Sequence, residues 1–329
     1  MSKRATLFRA PARNGYATGV NTRTRNGVLA AVATELLYGC SFAFTKNVTT
    51  TIDPFSLLGW RFVVAFGAML VLWALRVIRI HISRTTLVPL LVLAVFQPVV
   101  YYVAETFGIM RTTASESGLI ISAIPVAMLL TGAAVLRKRP SRRQVVGIAV
   151  TLAGVVATVL GGGLSIAFDV LGYAMLLVAV VSYALYAAFA ERYAHTSDID
   201  KTFVMVACGA LLFGTTTIAQ HAAGGTLATL AALPYARPDF AIAVAYLALG
   251  PTIGAFFLQN VAISALGSTR YSTYIGISTA ATLATGVIVL GETLAPVQWA
   301  GGVAILAGVY VANRRAADRL DALPGPADT

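Results

Sequence analysis

The stretch Thr131–Val155, TGAAVLRKRPSRRQVVGIAVTLAGV, occurs a second time as Thr285–Val309, TGVIVLGETLAPVQWAGGVAILAGV. The two copies align without a gap at a constant offset of 154 residues, so that Gln144 matches Gln298 and both copies end in Leu-Ala-Gly-Val. Each copy is apolar at both ends and polar in the middle. This pattern predicts two apolar helices joined by a tight turn, written twice in one chain.

The two turns differ in charge. The middle of the first copy, Arg137–Arg143, carries five Lys and Arg residues, and the middle of the second, Gly291–Val297, carries none. Short cytoplasmic loops of membrane proteins retain Lys and Arg, so the first turn is predicted inside and the second outside. The sequence therefore predicts a repeat of inverted membrane topology, which is typical of secondary transporters.

The composition supports a membrane protein. The 329-residue chain is 58% hydrophobic and only 11% charged, whereas a soluble domain carries about 25% charged residues. The net charge of +11 comes from cations in short segments between apolar runs, which argues against a nucleic-acid partner. Cys40 and Cys208 lie inside apolar runs, so no disulfide is expected.

Ten apolar stretches are long enough to cross a bilayer as helices, which takes about 20 residues. They run over 27–47, 54–78, 87–109, 113–136, 142–161, 169–190, 202–221, 239–263, 269–290 and 296–313. We predict an all-α polytopic membrane protein with a basic cytoplasmic tail (1–26), two inverted five-helix halves (27–161 and 169–313) and a cytoplasmic tail (314–329). Most cations then fall on the side of both termini, which fits an even number of spans in a bacterial cytoplasmic membrane.

The repeat continues outside the hairpins. At the same offset Glu105 matches Gln259, and at an offset of 145 residues Tyr38 matches Tyr183 and Asp53 matches Asp198. Because each half contains five helices, an odd number, the second half must enter the membrane from the opposite side. The duplication and the charge distribution thus support each other.

Several motifs carry a family resemblance. They are Tyr38-Gly39-x-Ser41-Phe42 with Lys46, Pro54 with Arg61, Gly108–Ser115, Pro140-Ser141-x-x-Gln144-x-x-Gly147 and Gly291-Glu292-x-x-x-x-x-Gln298-x-x-Gly301. This set resembles the drug/metabolite transporter superfamily, in its ten-helix branch with two EamA domains. The resemblance implies alternating access and export of a small organic metabolite, such as an amino acid or another amphipathic compound. One departure is Lys138, where the first domain of the family often has Glu.

Ionisable residues inside a span are costly, so each is a candidate for function. Glu35 lies mid-way along the first span and shares a helical face with Tyr38. A low-dielectric site favours the protonated form of a carboxyl group, so Glu35 could bind a cationic substrate when ionised and release it on protonation, which makes it a candidate for substrate contact or proton coupling. The alternative is a structural glutamate that is hydrogen-bonded between helices.

The third span carries a polar stripe. Gln97, Tyr101 and Glu105 recur at four-residue steps, and Pro98 breaks the backbone hydrogen bonds beside them. The stripe fits either a cavity-lining face or structural bonds between helices. With Gln259 at the matching position of the second half, these residues are candidates for a central cavity. Tyr38, Tyr183 and Tyr186 are further candidates for substrate binding or coupling. Tyr183 and Tyr186, with Trp60, Tyr101 and Tyr274, could give the cavity an aromatic wall.

Four further charged residues fall in the outer third of the first half, namely Lys46, Arg61, Glu105 and Glu116. One interpretation is an ion-pair cluster that holds outer helix ends together. The other is an outer gate whose pairs break when the cavity opens outward.

The sequence lacks a phosphate-binding loop, a nucleophile motif and metal-ligand spacing, so we expect no enzyme, catalytic residue, metal or cofactor. The expected partners are a small-molecule substrate, the lipid bilayer and protons, and a monomer would suffice. Two alternatives stay open: a carrier of a lipid-linked or nucleotide-linked substrate, and a non-transporting membrane scaffold or sensor.

Overall fold

The computed structural model describes residues 22–136, 141–161 and 169–321. Four segments lie outside these residues. They are most of the predicted N-terminal tail (1–21), the first part of the basic turn (137–140), the link between the halves (162–168) and the end of the C-terminal tail (322–329).

Within the described ranges the chain is helical and contains no strand. The helices are α1 (Thr22–Thr49), α2 (Pro54–Ala74), α3 (Arg84–Ala94), α4 (Tyr101–Arg111), α5 (Ala114–Ile121), α6 (Ile124–Leu136), α7 (Arg142–Gly161), α8 (Val170–Arg192), α9 (Asp198–Ala223), α10 (Leu227–Ala236), α11 (Pro238–Leu247), α12 (Phe256–Leu266), α13 (Ser268–Tyr271), α14 (Ile275–Ile288) and α15 (Pro296–Asp321). Two π-helical segments, Val95–Val100 and Ala248–Ala255, join α3 to α4 and α11 to α12, and a 3-10 turn at Ser272–Tyr274 joins α13 to α14.

Eight helical segments of the described chain are long and apolar enough to cross a membrane, and they match the first eight predicted spans. The ninth predicted span corresponds to α13 and α14 with the 3-10 turn between them, and the tenth to α15. Large apolar side chains such as Leu211 and Ile288 are 71% and 80% exposed, as expected for surfaces that face lipid. The prediction of an all-α polytopic membrane protein is confirmed.

Helix starts follow local capping chemistry. The carboxylate of Asp53 accepts the amide hydrogen of Ser56 at 3.0 Å, and Pro54 occupies the first turn of α2. Thr113 and Glu116 form a reciprocal capping box at the start of α5. These bonds satisfy amides that the helix itself leaves unpaired.

The third and eighth spans are both interrupted at a proline. Pro98 lies in the first π-helical segment and Pro251 in the second. Proline has no amide hydrogen, so one backbone hydrogen bond of the helix is missing at each site. The proline ring also favours an extended conformation for the residue before it. Gln97 accordingly has φ −141° and ψ 117°. The predicted stripe is therefore not one helical face, and only Tyr101 and Glu105 share a regular helix.

The repeated hairpins meet in the structure, where α7 and α15 pack antiparallel at very close range. A Cβ atom on Gly154 would lie 2.6 Å from the carbonyl oxygen of Gly301, and one on Gly147 would lie 2.6 Å from that of Gly308. Gly147 and Gly301 are equivalent in the repeat, as are Gly154 and Gly308. The contact is therefore reciprocal, as a two-fold axis between the halves requires.

Contacts at the helix ends sort the turns into two faces. On the predicted outer face, Arg111 at the end of α4 pairs with Asp169 before α8 at 2.7 Å. The Arg111 guanidinium lowers the pKa of the Asp169 carboxyl, chiefly by hydrogen bonding. On the predicted inner face, the carboxylate of Glu191 at the end of α8 accepts the amide hydrogen of Ser268 at 3.1 Å. Successive turns thus alternate between two faces.

Candidate functional site

The polar residues predicted within the membrane spans are buried between helices of both halves. The five most polar of them, none more than 5% exposed, are Glu35, Arg61, Gln97, Glu105 and Gln259. Burying this many polar groups is costly unless each finds a partner. The hydrogen bonds described below provide those partners.

Glu35 is linked to a pair of tyrosines. The hydroxyl of Tyr271 on α13 donates to the Glu35 carboxylate, and it lies 3.1 Å from the hydroxyl of Tyr183 on α8. The sequence predicted Glu35 and Tyr183 as site residues, but Tyr271 was missed. It is 236 residues from Glu35 in the chain, and no periodic pattern marks it as a partner.

A second network joins Tyr38, Gln97 and Gln259 in a triangle. The Tyr38 hydroxyl donates to Gln259 Oε1, Gln259 Nε2 donates to Gln97 Oε1 at 3.2 Å, and Gln97 Nε2 lies 3.5 Å from the Tyr38 hydroxyl. The extended backbone at Gln97 places its amide in this triangle. The triangle ties α1 and the first π-helical segment to α12, and hence one half of the repeat to the other.

Arg61 and Glu105 lie beside this network. Tyr101 donates to Glu105 Oε1 at 2.7 Å. Arg61 Nε donates to Thr252 Oγ1 at 2.7 Å, and the guanidinium carbon lies 4.3 Å from the centre of the Tyr102 ring. Such a cation–π contact stabilises a buried guanidinium, and Arg61 Nη2 also donates to the Tyr102 hydroxyl at 3.1 Å. The role of Tyr102 and Thr252 was not predicted, because neither follows a polar stripe.

Three tyrosines predicted for the cavity wall, Tyr101, Tyr183 and Tyr186, lie in a row. The ring centres of Tyr101 and Tyr183 are 5.6 Å apart, and those of Tyr183 and Tyr186 are 5.9 Å apart. Tyr186 donates its hydroxyl hydrogen to Asn260 Oδ1 at 2.8 Å. The row therefore presents aromatic surface while its hydroxyl groups stay hydrogen-bonded.

A small cavity lies against this row. Its lining residues are Glu35, Tyr38, Phe42, Tyr101, Ile121, Ile124, Tyr183, Ile275 and Ser278. It has room for about one water molecule. In this conformation the cavity is too small for a metabolite, which could enter only if the helices around it moved apart.

The four charged gate candidates do not pair with one another. The ion pairs found in the described part of the chain are Arg111–Asp169, Lys201–Asp198 and Arg237–Asp239, and the His221 ring lies 3.8 Å from the Asp53 carboxylate. Both interpretations of these four residues, an ion-pair cluster and an outer gate, stay predictions.

Lys46 and Glu116 bind backbone and polar groups instead. Lys46 Nζ donates to the carbonyl oxygens of Ile109, Met110 and Thr112 at the end of α4. Glu116 Oε2 accepts the amide hydrogen of Thr113 at 3.0 Å, while its other oxygen accepts from Tyr173 and Gln298. The physical reason is that helix ends expose unpaired carbonyls and amides, which attract nearby charges.

Comparisons with known proteins agree on the class. The model of the EamA-like transporter family matches residues 25–160 and again 170–314. The chain is 29% identical over 287 residues to the "Uncharacterized transporter YcxC" of Bacillus subtilis (strain 168). The matched region covers 87% of this chain and 92% of that protein. A solved structure described as "Crystal structure of protein" covers 88% of this chain and 99% of its own, with a TM-score of 0.58 and 18% identity.

The solved structure supports the fold alone, whereas the family match spans both halves of the sequence. The family match agrees with the helices that are long enough to cross a membrane and with the polar centre between them. The chain belongs to the EamA-like transporter family and is a multi-pass membrane transporter of a small substrate.

Proposed function

We propose that the protein moves a zwitterionic, amino-acid-like metabolite by alternating access, with the binding site at the closed polar centre. The observation that carries this proposal is the burial of two carboxylates and one guanidinium in a single region where both halves meet. Substrate sites of inverted-repeat transporters lie near the midplane at the interface between the repeats.

The charges suit the two ends of an amino acid. Glu35 or Glu105 provides a carboxylate for an ammonium group. Arg61 makes no ion pair with a carboxylate in the described part of the chain, although it is only 1% exposed. A guanidinium presents a planar fork of donors that matches a carboxylate, so the acid group of the substrate is the expected partner.

The tyrosine row suits the rest of the substrate. Aromatic rings and the side chains of Phe42, Ile121 and Ile275 offer an apolar surface beside the charges. Binding sites combine such apolar walls with a few polar groups that fix orientation. An amphipathic amino acid with an apolar or aromatic side chain therefore fits better than a highly phosphorylated molecule, which would require several cations.

We place the protein in a bacterial cytoplasmic membrane with both termini cytoplasmic, and we assign net movement to export. The orientation rests on the excess of Lys and Arg at the predicted inner turns. Residues 27–161 and 169–313 are the two inverted halves in this proposal. Export is what the resemblance to the drug/metabolite superfamily implies.

The test is the melting temperature of the purified protein against matched ligands. The panel contains amino acids, amines lacking the carboxylate, acids lacking the amine, and nucleotide sugars. A ligand that binds only the folded state raises its apparent stability. We expect a dose-dependent rise with apolar or aromatic amino acids and a smaller rise with the amines.

Arg61→Gln sharpens this test. Losing a hydrogen-bonded charge should weaken binding of the amino acid about tenfold or more while leaving the amine unaffected. Arg237→Gln is the matched control, because Arg237 forms an exposed pair with Asp239 away from the centre. A rise with nucleotide sugars alone, or no rise with any ligand of the panel, would contradict the proposal.

A further inference from the structure

The turn between α4 and α5 on the predicted outer face and the turn between α12 and α13 on the predicted inner face are equivalent in the repeat. At the offset of 154 residues, Met110 corresponds to Ser264 and Ala114 corresponds to Ser268. We refer to these two turns as the outer joint and the inner joint. Each leads from a proline-interrupted span into the span that follows it.

At the outer joint, two opposite charges bind the backbone on either side of the turn. Lys46 Nζ donates to the carbonyl oxygen of Met110 at 3.1 Å. The carboxylate of Glu292 accepts the amide hydrogens of Ala114 at 2.7 Å and Ser115 at 2.8 Å. Glu292 comes from the turn between α14 and α15, so this contact crosses from the second half to the first.

At the inner joint, different residues bind the equivalent backbone atoms. Arg23 Nη2 donates to the carbonyl oxygen of Ser264 at 3.0 Å. The carboxylate of Glu191 accepts the amide hydrogen of Ser268 at 3.1 Å and also its hydroxyl hydrogen. Arg23 lies at the start of α1, so here the contact that crosses between halves runs from the first half to the second.

The residues that make these contacts are not conserved in type between the two halves. At the offset of 145 residues, the position equivalent to Lys46 is Glu191, which carries the opposite charge. The position equivalent to Glu292 is Lys138. The duplicated sequence therefore does not explain why the same carbonyl and the same amide are bound at both joints. A shared role for the joints does explain it.

We propose that Lys46 with Glu292 forms an outer latch, and Arg23 with Glu191 an inner latch, and that each holds one face of the transporter closed. This inference rests on the proposed alternating access. In the closed conformation described above both latches are engaged. Opening a face requires its joint to leave the opposite half, so the contact of Glu292 breaks on one face and that of Arg23 on the other. These are positioning residues, because they act through the joints and need no contact with substrate.

Two charge-removing changes test the proposal, Glu292→Gln for the outer latch and Arg23→Gln for the inner one, because these two residues make the contacts that cross between the halves. The reporter is a single cysteine at the cavity-lining residue Ser278, in a chain with Cys40→Ala and Cys208→Ala. A membrane-impermeant maleimide is applied to right-side-out and to inside-out vesicles, without substrate. The rate of labelling then reports which face has opened.

We expect Glu292→Gln to speed labelling from the face of the outer joint, and Arg23→Gln from the face of the inner joint. The expected increase is about tenfold, because a hydrogen bond to a charged group stabilises one conformation by that factor or more. Asp239→Asn, which breaks an exposed ion pair on the outer face away from both joints, should change neither rate.

A purely structural role would raise labelling from both faces or from neither, and either result would overturn the proposal. An exchange of the two faces would overturn it as well. The labelling needs no substrate, so it stays informative if the amino-acid assignment fails in the melting-temperature panel. Changed labelling without any ligand response would reject that substrate class and keep the latches.

Discussion

At the scale of single residues, the centre of the protein is built from polar groups that satisfy one another across the two halves. Tyr38, Gln97 and Gln259 each provide a bond that the other two need. Removing one member leaves buried donors or acceptors unpaired, which costs about 1–3 kcal/mol.

A double-mutant cycle tests this interdependence. Tyr38→Phe and Gln259→Leu should each lower the unfolding free energy by about 1–3 kcal/mol. Together they should cost less than the sum, with a coupling of about 0.5–3 kcal/mol. The measurement is denaturant unfolding of the purified protein in detergent. Gln259→Leu combined with the distant, exposed Ser83→Ala is the control, and it should be additive; additivity in the Tyr38 cycle would contradict the triangle.

The residue scale is also where sequence reasoning was most limited. An ionisable residue within an apolar span can be recognised from the sequence, which is why Glu35, Arg61 and Glu105 were singled out. Their partners come from other helices, as Tyr271 does for Glu35 and Thr252 does for Arg61. Such pairs depend on how helices pack, and periodicity within one helix contains no information on that.

At the scale of the elements, the second helices of the two repeated hairpins, α7 and α15, pack against each other. The glycines of this contact let two backbones approach within the space that a side chain would fill. The sequence showed the glycines and their spacing, and the structure adds that the two copies face each other. Proline positions were equally informative, since both interrupted spans are broken beside Pro98 or Pro251.

Gly154→Ala should destabilise the protein by about 1–3 kcal/mol, because the added methyl group would lie 2.6 Å from the Gly301 carbonyl oxygen. Gly67→Ala in α2 is the matched control, since nothing lies within 4 Å of its added Cβ. Alanine favours a helix over glycine by up to about 1 kcal/mol, so the control should be neutral or stabilising. Thermal unfolding in detergent measures both, and equal shifts would argue against close α7–α15 packing.

At the scale of the whole molecule, inverted repeats give a protein two equivalent ways to open. The equivalent outer and inner joints lie on opposite faces, and the closed centre lies between them. The sequence predicted this symmetry from matched residues and from the distribution of cations. It could not predict that Lys46 binds carbonyl groups 63 to 66 residues away, because helix ends offer partners that a list of side chains does not show.

Coupling to protons belongs to the whole transport cycle. Glu35 and Glu105 are buried, and neither forms an ion pair in the described part of the chain. An unpaired carboxylate at mid-membrane is costly when ionised, so binding of an ammonium group and binding of a proton should compete for it. We expect Glu35→Gln and Glu105→Gln each to slow transport in proteoliposomes. If one of the two carboxylates couples transport to protons, its glutamine variant should also lose the response of transport to an imposed pH gradient. Asp239→Asn, an exposed carboxylate with its own partner, is the control. If both glutamine variants transport at the wild-type rate with unchanged pH dependence, the two carboxylates are structural and the coupling lies elsewhere.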